Sequence, residues 1–503
     1  PIFNFYAPLP YYVSAGLGLL GLDALWATKA AFIFATLLAG ISMYVLVKEF
    51  FGKLPALTAA VVYVYFPYHA INIYIRGNLN EVFAYAFFPL IFLGFYKLYY
   101  FRKGQIMQAA KWVGIMGMSI AWLVTSHNLS AYMVALIFTL LTLLGVVFAQ
   151  ERVKFITLIG IAGLLGIGLS AFYWIPVLFE MKYSDVLSQV GGGADFRDHF
   201  VCISQYWNSP WGFGGSGPGC IDGMSFKLGK TNILFSALSI VLFIFLLSTK
   251  KIKEHTFLFF SILGVLVFSI FISTEYSAFL WEMIPRIDFL QFPWRFINFV
   301  ATAMSILIGI LIVGVDRIGG KIASGTIAVG IIVVTLILNA KLFVPQSFYD
   351  RTSEYYTDQN FIRWETSKIS DEYMPPNFLV PQSESEVPRE KIVISSGRAE
   401  IKNTLIKTGK IRAIIEAETQ STVLLAIAPF PAWEILRNGA DVEYRNTNRG
   451  IQIQISEGES EIQATFVQTP VERLGNGITV ITFISMIGFY SWSRKYGKKA
   501  KKK

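Results

Sequence analysis

The chain has 503 residues, 54% hydrophobic and 16% aromatic, with a formal charge of +10 and a mean hydropathy of +0.53. Its apolar residues gather into runs long enough to cross a bilayer, which excludes an ordinary water-soluble enzyme and points to a polytopic helical membrane protein. The basic surplus does not imply nucleic acid, because Arg494, Lys495, Lys498, Lys499, Lys501, Lys502 and Lys503 follow the last apolar run directly, as a cytoplasmic anchor does.

The chain opens at Pro1 without a charged segment ahead of an apolar core, so no signal peptide is recognisable, and the expectation is that its start is missing. Pro8 and Pro10 precede an apolar stretch at 11–20. That stretch is shorter than the roughly 20 residues a helical span needs, and it reads as an interfacial or re-entrant segment on the outer face. Membrane spans are expected at about 26–47, 54–71, 82–100, 109–126, 128–149, 154–179, 231–248, 256–272, 296–314, 321–342 and 477–493.

Between the second and third spans lies PYHAINIYIRGNLNE, residues 67–81, whose polar turn carries Arg76, Asn78, Asn80 and Glu81. A charge at the bilayer centre costs about 2.5–3.5 kcal/mol on insertion scales, so this turn belongs at a membrane surface. It is either a solvated loop or one wall of a polar site. Within 154–179, Gly160, Gly163, Gly166 and Gly168 suit close helix packing.

The connecting turns alternate in charge. One set holds Lys48 and Lys53; Lys97, Arg102, Lys103 and Lys111; Arg152 and Lys154; Lys250, Lys251 and Lys253; Arg317 and Lys321; and the basic tail. The short turns of the other set hold only Arg76, Arg286 and Arg295. By the positive-inside rule the first set is cytoplasmic. Pro1 then starts outside and the C-terminus lies inside, and a further helix upstream would bring the N-terminus inside as well.

Three parts follow: a multi-span domain at 1–344 with an outer loop at 180–230, a β-rich domain at 345–474 outside the cytoplasm, and a last span with its basic tail at 475–503. The 180–230 loop is rich in Gly, Ser and aromatics and reads as irregular and lid-like. It contains both cysteines, Cys202 and Cys220, which pair in an oxidising compartment or remain as two buried thiols. No CxxC occurs and His69, His127, His199 and His255 are scattered, so no metal site is expected. In the third region Ile411, Ala413 and Ile415, then Ile451, Ile453 and Ile455, then Ile462, Ala464 and Phe466 alternate with period two. Asn438-Gly439 marks a hairpin, and together these signals predict a small β-sandwich.

The polar residues that could carry chemistry fall on the outer side. They are Arg76, Asn78 and Glu81; His127 and Asn128; Trp174; Asp195, Arg197, Asp198 and His199; and Glu282, Arg286, Asp288 and Arg295. His127 is a catalytic candidate or a capping histidine. The tryptophans at 174, 281 and 294 are substrate platforms or aromatic-belt anchors. Arg295, in FPWRF, is placed to hold a phosphate by forked hydrogen bonds or to snorkel at the interface.

PIFNFYAPLPYY, FPYHAINIYIRGNLNE, SHN, WGFGGSGPGCIDGMSFKLG, QFPWRF and FPAWEILRNG, with GESEIQATF after them, resemble bacterial membrane proteins named after 6-pyruvoyl-tetrahydropterin synthase. These are similar to GT-C-type glycosyltransferases. The pterin-synthase chemistry requires a zinc-binding histidine set that this sequence lacks. The GT-C resemblance implies a multi-span helical bundle, an active site at the outer face and a polyprenyl-phosphate-linked sugar as donor. No cofactor is assigned from the sequence, and a divalent cation is left open. A catalytic acid is expected in a first outer loop, which would lie upstream of Pro1; Asp23 is the nearest acid and matches no catalytic motif.

On this basis the expected function is transfer of a sugar from a polyprenyl-phosphate carrier to a glycan, lipid or protein acceptor outside the cytoplasm. Glu81 and His127 are the catalytic candidates within the chain. Arg76, Asn78, Asn128, Arg286, Asp288 and Arg295 are the substrate-binding candidates. A transporter or lipid flippase, and a non-catalytic envelope scaffold binding glycan, are the alternatives.

Overall fold

The computed structural model describes residues 2–101, 106–189, 191, 194–221, 223–252, 255–366 and 371–500. The basic positions Arg102, Lys103, Lys253, Lys501, Lys502 and Lys503 lie outside the described residues. The chain divides into two compact units. One comprises Pro1–Tyr6, Phe172–Gln189 and Thr352–Gly477; the other comprises Ala7–Ala171, Val190–Arg351 and Ile478–Lys503.

The larger unit is helical. Among the described residues, eight helices are long and apolar enough to cross a membrane, and two bent pairs raise the number to ten. One pair, Lys53–Val64 with Pro67–Ile75, bends by 44° where Pro67 cannot continue the preceding helix. The other, Thr256–Ile272 with Glu275–Met283, turns by 93°. The two runs expected at 296–314 and 321–342 are two helices within Ile297–Asn339, broken at Gly320, where φ is +75° and the backbone is not helical. The run expected at 154–179 instead ends at Leu169, and a second helix, Ala171–Glu180, begins after Ser170.

Local chemistry sets these boundaries. Asp23 caps helix Ala24–Phe51 by accepting the Trp26 N–H at 2.8 Å. That bond satisfies a donor the first helical turn leaves open. Asp23 is thus a cap, which explains its match to no catalytic motif. The same helix buries Ala27, Ala31, Ala35 and Ala39 at four-residue spacing, while Ile33, Leu37 and Ile41 are exposed on another side. Alanine at each turn lets neighbouring helices approach closely. The exposed aliphatic side is what a lipid-facing surface requires.

Helix Leu79–Tyr99 is the central one, with 18 of its 21 residues buried. Tyr63 and Tyr85 lock it to Lys53–Val64: their rings stack at 3.9 Å, and each hydroxyl donates to the other residue's carbonyl, at 2.7 and 3.0 Å. Of the four glycines expected to pack, Gly166 and Gly168 do so. A Cβ on Gly166 would lie 2.6 Å from the Ile120 Cβ, and one on Gly168 would lie 2.5 Å from the Thr482 side chain. Gly160 and Gly163 face open space.

The smaller unit is a β-sandwich. Its strands are β1 (Ile392–Ser396), β2 (Ala399–Lys407), β3 (Lys410–Ala417), β4 (Ser421–Leu425), β5 (Trp433–Arg437), β6 (Ala440–Asp441), β7 (Tyr444–Thr447), β8 (Gly450–Ile455) and β9 (Gly458–Phe466). They pair antiparallel in two sheets, β1-β4-β8-β7 and β2-β3-β9-β5-β6. Val423, Ile451 and Ile453 of the first sheet share one core with Ile411, Ile415 and Ile462 of the second. Asn438 and Gly439 both have positive φ, 52° and 77°, which a two-residue hairpin between β5 and β6 requires.

The unit also takes in residues 1–6 and 172–189, which hydropathy alone assigns to the membrane part. The Asn4 amide explains this: it donates to Glu180 at 3.3 Å and to Glu472 at 2.6 Å. Thr469 donates to the same Glu180 carboxylate, joining segments far apart in sequence. Burial raises the Glu180 pKa against the pull of those donors.

Candidate functional site

The polar turn at 67–81 folds into the helical unit around Glu81. Asn78 starts the central helix by accepting the Glu81 N–H at 3.0 Å, which fixes the carboxylate in the first turn. Just before it, Ile71–Ile75 widens into a π-helical turn, a feature frequent at functional sites. That turn brings Asn72 and Arg76 onto the same side as Glu81.

The Glu81 side chain is fully buried and its acceptor capacity is used. Oε1 accepts from Asn298 Nδ2 at 2.7 Å and from the Tyr68 hydroxyl at 3.2 Å. Oε2 accepts from Arg76 Nη1 at 2.5 Å and from Asn78 Nδ2 at 3.4 Å, with Arg295 Nε 4.0 Å away. A buried carboxylate is tolerable only when paired and hydrogen-bonded in this way. Glu81 therefore holds other groups in place and is badly placed to take a proton from a substrate.

Arg76 is held by Glu81, Asn72 and Tyr68. Its Nη1 donates to Glu81 and, at 2.7 Å, to Asn72 Oδ1. Its guanidinium lies 4.7 Å from the centre of the Trp294 ring. A hydrogen bond to Tyr68 adds to this hold, and the side chain is 13% exposed; a guanidinium has more N–H donors than these partners use. The result is a guanidinium fixed in place with donors left over. Arg295 lies deeper, 6% exposed, and gives Nη1 to the Leu290 carbonyl at 2.6 Å. It follows Pro293 in the turn Pro293–Phe296 that opens the long helix, and Asn298 one turn later reaches Glu81.

Trp294 ties this group to the 190–229 loop. Its Nε1 donates to Ser216 Oγ at 3.0 Å, and that hydroxyl lies 2.9 Å from His199 Nδ1. Trp294 stacks on Phe292 at 4.9 Å and faces Phe226 at 6.0 Å. It is a packing and hydrogen-bonding element of the site rather than a belt anchor. Cys202 and Cys220 form a disulfide in the same loop, with Cα atoms 5.8 Å apart.

The other candidates are placed differently. His127 lies between two spans and caps helix Asn128–Phe148, with Nδ1 accepting the Ser130 N–H at 3.2 Å. Burial lowers its pKa to about 3, although the Glu81 carboxylate pulls the other way. It is thus a neutral imidazole with its proton on Nε2. Asn128 is exposed and turned onto the neighbouring Leu129 N–H at 2.9 Å. Arg286 is exposed, with φ of 63°, near the Phe289 ring. Neither Arg286 nor Asp288 contacts Glu81, Arg76 or Arg295 among the described residues. Arg197 pairs with Asp195 and Glu282 at the surface, at 3.3 and 3.5 Å. Trp174 belongs to the smaller unit.

Residues 3–190 match the family described as "6-pyruvoyl-tetrahydropterin synthase related domain; membrane protein". No curated protein and no solved structure matches the chain. The matched stretch contains Tyr68, Asn72, Arg76, Asn78, Glu81 and His127 of the group just described. Among the described residues no three His, Cys, Asp or Glu side chains come together in a group that could hold a metal ion. Each histidine is otherwise engaged: His69 with the Val64 carbonyl, His127 as a cap, His199 with Ser216 and His255 against Phe50 and Phe51.

Tyr68, Asn72 and Asn298 are members of the site that sequence reading missed. Asn72 and Asn298 did carry a signal. Each is a lone amide in an apolar run, INIYI and FINFV, and such a residue in a membrane helix faces the interior.

Proposed function

We propose that the chain is a membrane glycosyltransferase that binds the phosphate of a polyprenyl-linked sugar donor at Arg76 and passes the sugar to an acceptor outside the cytoplasm. The observation that carries this reading is the partial tether of Arg76. Glu81, Asn72 and Tyr68 take part of its hydrogen-bonding capacity, the Trp294 ring lies against the guanidinium, and the donors beyond those contacts are available for a forked contact with an anion. A lipid-linked phosphate suits such a group because its chain remains in lipid while its head meets a fixed charge at a helix break. Glu81 is a positioning residue and Arg295 supports the same carboxylate. Stabilising the departing phosphate is the catalytic contribution assigned here, and neither Glu81 nor His127 serves as base. The basic turns at Lys48, Lys97, Arg152 and Lys250 orient the site away from the cytoplasm by the positive-inside rule.

The test is sugar transfer by the full-length protein in nanodiscs from a polyprenyl-phosphate-linked donor. Arg76→Ala is expected to lose about 30- to 1000-fold in rate, equivalent to roughly 2–4 kcal/mol of transition-state stabilisation. Arg76→Lys recovers little, since an ammonium cannot reproduce the fork. Folded variants that turn over like the parent would remove Arg76 from the reaction. Flipping of the lipid without transfer would favour a translocator using the same contact.

A further inference from the structure

The smaller unit contains a recess of about 420 Å³ that the phosphate site does not use. That volume falls in the roughly 300–1,000 Å³ range of small-ligand clefts. It exists because β7 is an edge strand whose inner face is left uncovered. Tyr444 and Asn446 sit opposite Ile453 and Ile451 of β8 and so point to the same side of the sheet. Ile453 and Ile451 are 0% and 1% exposed, whereas Tyr444 is 44% exposed. The facing sheet therefore stops short of β7. Two other segments wall the gap instead, 375–378 and 429–431, and Lys182 and Tyr183 close one end.

The walls are rigid. Phe430 is buried, stacks on Phe466 at 5.9 Å and takes the Tyr183 ring edge-on at 5.9 Å. Pro375, Pro376, Pro429 and Pro431 restrict the backbone on both sides. The Leu379 N–H donates to the Asn448 carbonyl at 2.8 Å, which fixes the first wall to the turn after β7.

The lining chemistry is selective. Tyr183, Phe430 and Tyr444 supply aromatic surface, and Asn377, Asn446 and Asn448 supply side-chain amides. Among the described residues these three amides make no hydrogen bond within the chain, so each retains two donors and an acceptor. Among the described lining residues Lys182 is the one that is charged and none is a carboxylate, which disfavours both a cation and a multiply charged anion. Aromatic rings with negative faces next to unspent amides match a pyranose, whose C–H faces carry partial positive charge and whose rim is hydroxyls.

We propose that this recess is a binding site for a neutral saccharide. Tyr444 stacks on the sugar, and Asn446 and Asn448 read its hydroxyl rim. The assignment is independent of the lipid-phosphate reading. A peptide pairing with the free edge of β7 is the rival occupant, but it would use backbone groups and be indifferent to these side chains.

The experiment uses the full chain in sugar-free nanodiscs on an array of neutral gluco-, manno- and N-acetylglucosamine oligosaccharides, with proline-rich and extended peptides as comparison probes. Retention of at least one oligosaccharide is expected. Tyr444→Ala and Asn446→Ala, both at exposed positions, should weaken its binding about tenfold or more, while Tyr444→Phe keeps most of it. Arg76→Ala should bind it like the parent, which separates failure here from failure of the phosphate site. The proposal is overturned if no oligosaccharide is retained, if both alanine variants bind unchanged, or if only peptides bind and ignore Tyr444→Ala.

Discussion

The two units bury their cores by opposite rules. In the sandwich, β3 buries Ile411, Ala413, Ile415 and Ala417, β8 buries Ile451, Ile453 and Ile455, and β9 buries Ser460, Ile462 and Ala464, so alternate residues face inward and all but the serine are aliphatic. In the helical unit the apolar residues run all round each helix, and burial differs from helix to helix. In the most hydrophobic window of Leu79–Tyr99, 83% is buried, against 17% for Arg152–Leu169. A sheet between core and water advertises its inner face by period, whereas a helix between core and lipid does not. In the helical unit, small residues and lone polar groups mark the interior: the alanines of Ala24–Phe51, and Asn72, Glu81 and Asn298. Stability in one unit thus rests on aliphatic packing and in the other partly on a satisfied polar group.

The sharpest break in that comparison is Glu81→Ala against Ile453→Ala. Removing the carboxylate strands Arg76 in the bundle and is expected to cost about 3–5 kcal/mol, as breaking a buried ion pair does. Ile453→Ala should cost roughly 2–5 kcal/mol through its cavity, confined to the sandwich. Gln454→Ala, on the exposed side of the same strand, should stay within about 0.5 kcal/mol. Thermal unfolding in nanodiscs, with limited proteolysis to report each unit, separates the three.

Reducing the Cys202–Cys220 disulfide comes next. With a sequence separation of 18, its loss should cost about 3 kcal/mol on the chain-entropy model. Non-reducing peptide mapping should recover the two cysteines linked. Proteolysis after reduction should cut within 190–229 first.

Gly166→Leu and Gly163→Leu sharpen the helix-packing half. The first meets Ile120 and is expected to lose about 1–3 kcal/mol. The second enters open space and should leave the melting temperature almost unchanged.

The smallest effect is pH-dependent. His127 is held neutral with its pKa lowered to about 3, from a usual value of 6.5. The unfolded chain then binds a proton that the folded chain refuses, so stability is full above pH 6.5 and falls as pH drops towards 3. His127→Asn, which retains a capping side chain, should flatten that part of the pH profile. An unchanged slope would mean that other groups set it.

The sandwich was legible because its residues obey a simple alternation and its hairpin carries Asn438-Gly439. The membrane spans were legible from length and apolarity, and Gly320 breaks the chain between two of them, although Ser170 ends the run expected at 154–179 early. The site was partly legible: Arg76, Asn78 and Glu81 sit in one polar turn, and FPWRF flagged Arg295. Sequence distance hid their arrangement. Asn298 is 217 residues from Glu81, and no local pattern shows that the two side chains meet. Nor does charge alone show that Arg295 is buried while Arg286 stays at the surface. The sandwich recess was invisible for a related reason, since it depends on where one sheet ends against another.

The most direct test of the central claim is binding of a short polyprenyl phosphate to the purified protein, with the matching polyprenol as control. The phosphate should bind well above the alcohol. Arg76→Gln, assayed where it is folded, should erase that preference by about 30-fold or more. Equal binding of phosphate and alcohol by the parent, or an unchanged preference in folded Arg76→Gln, would contradict it.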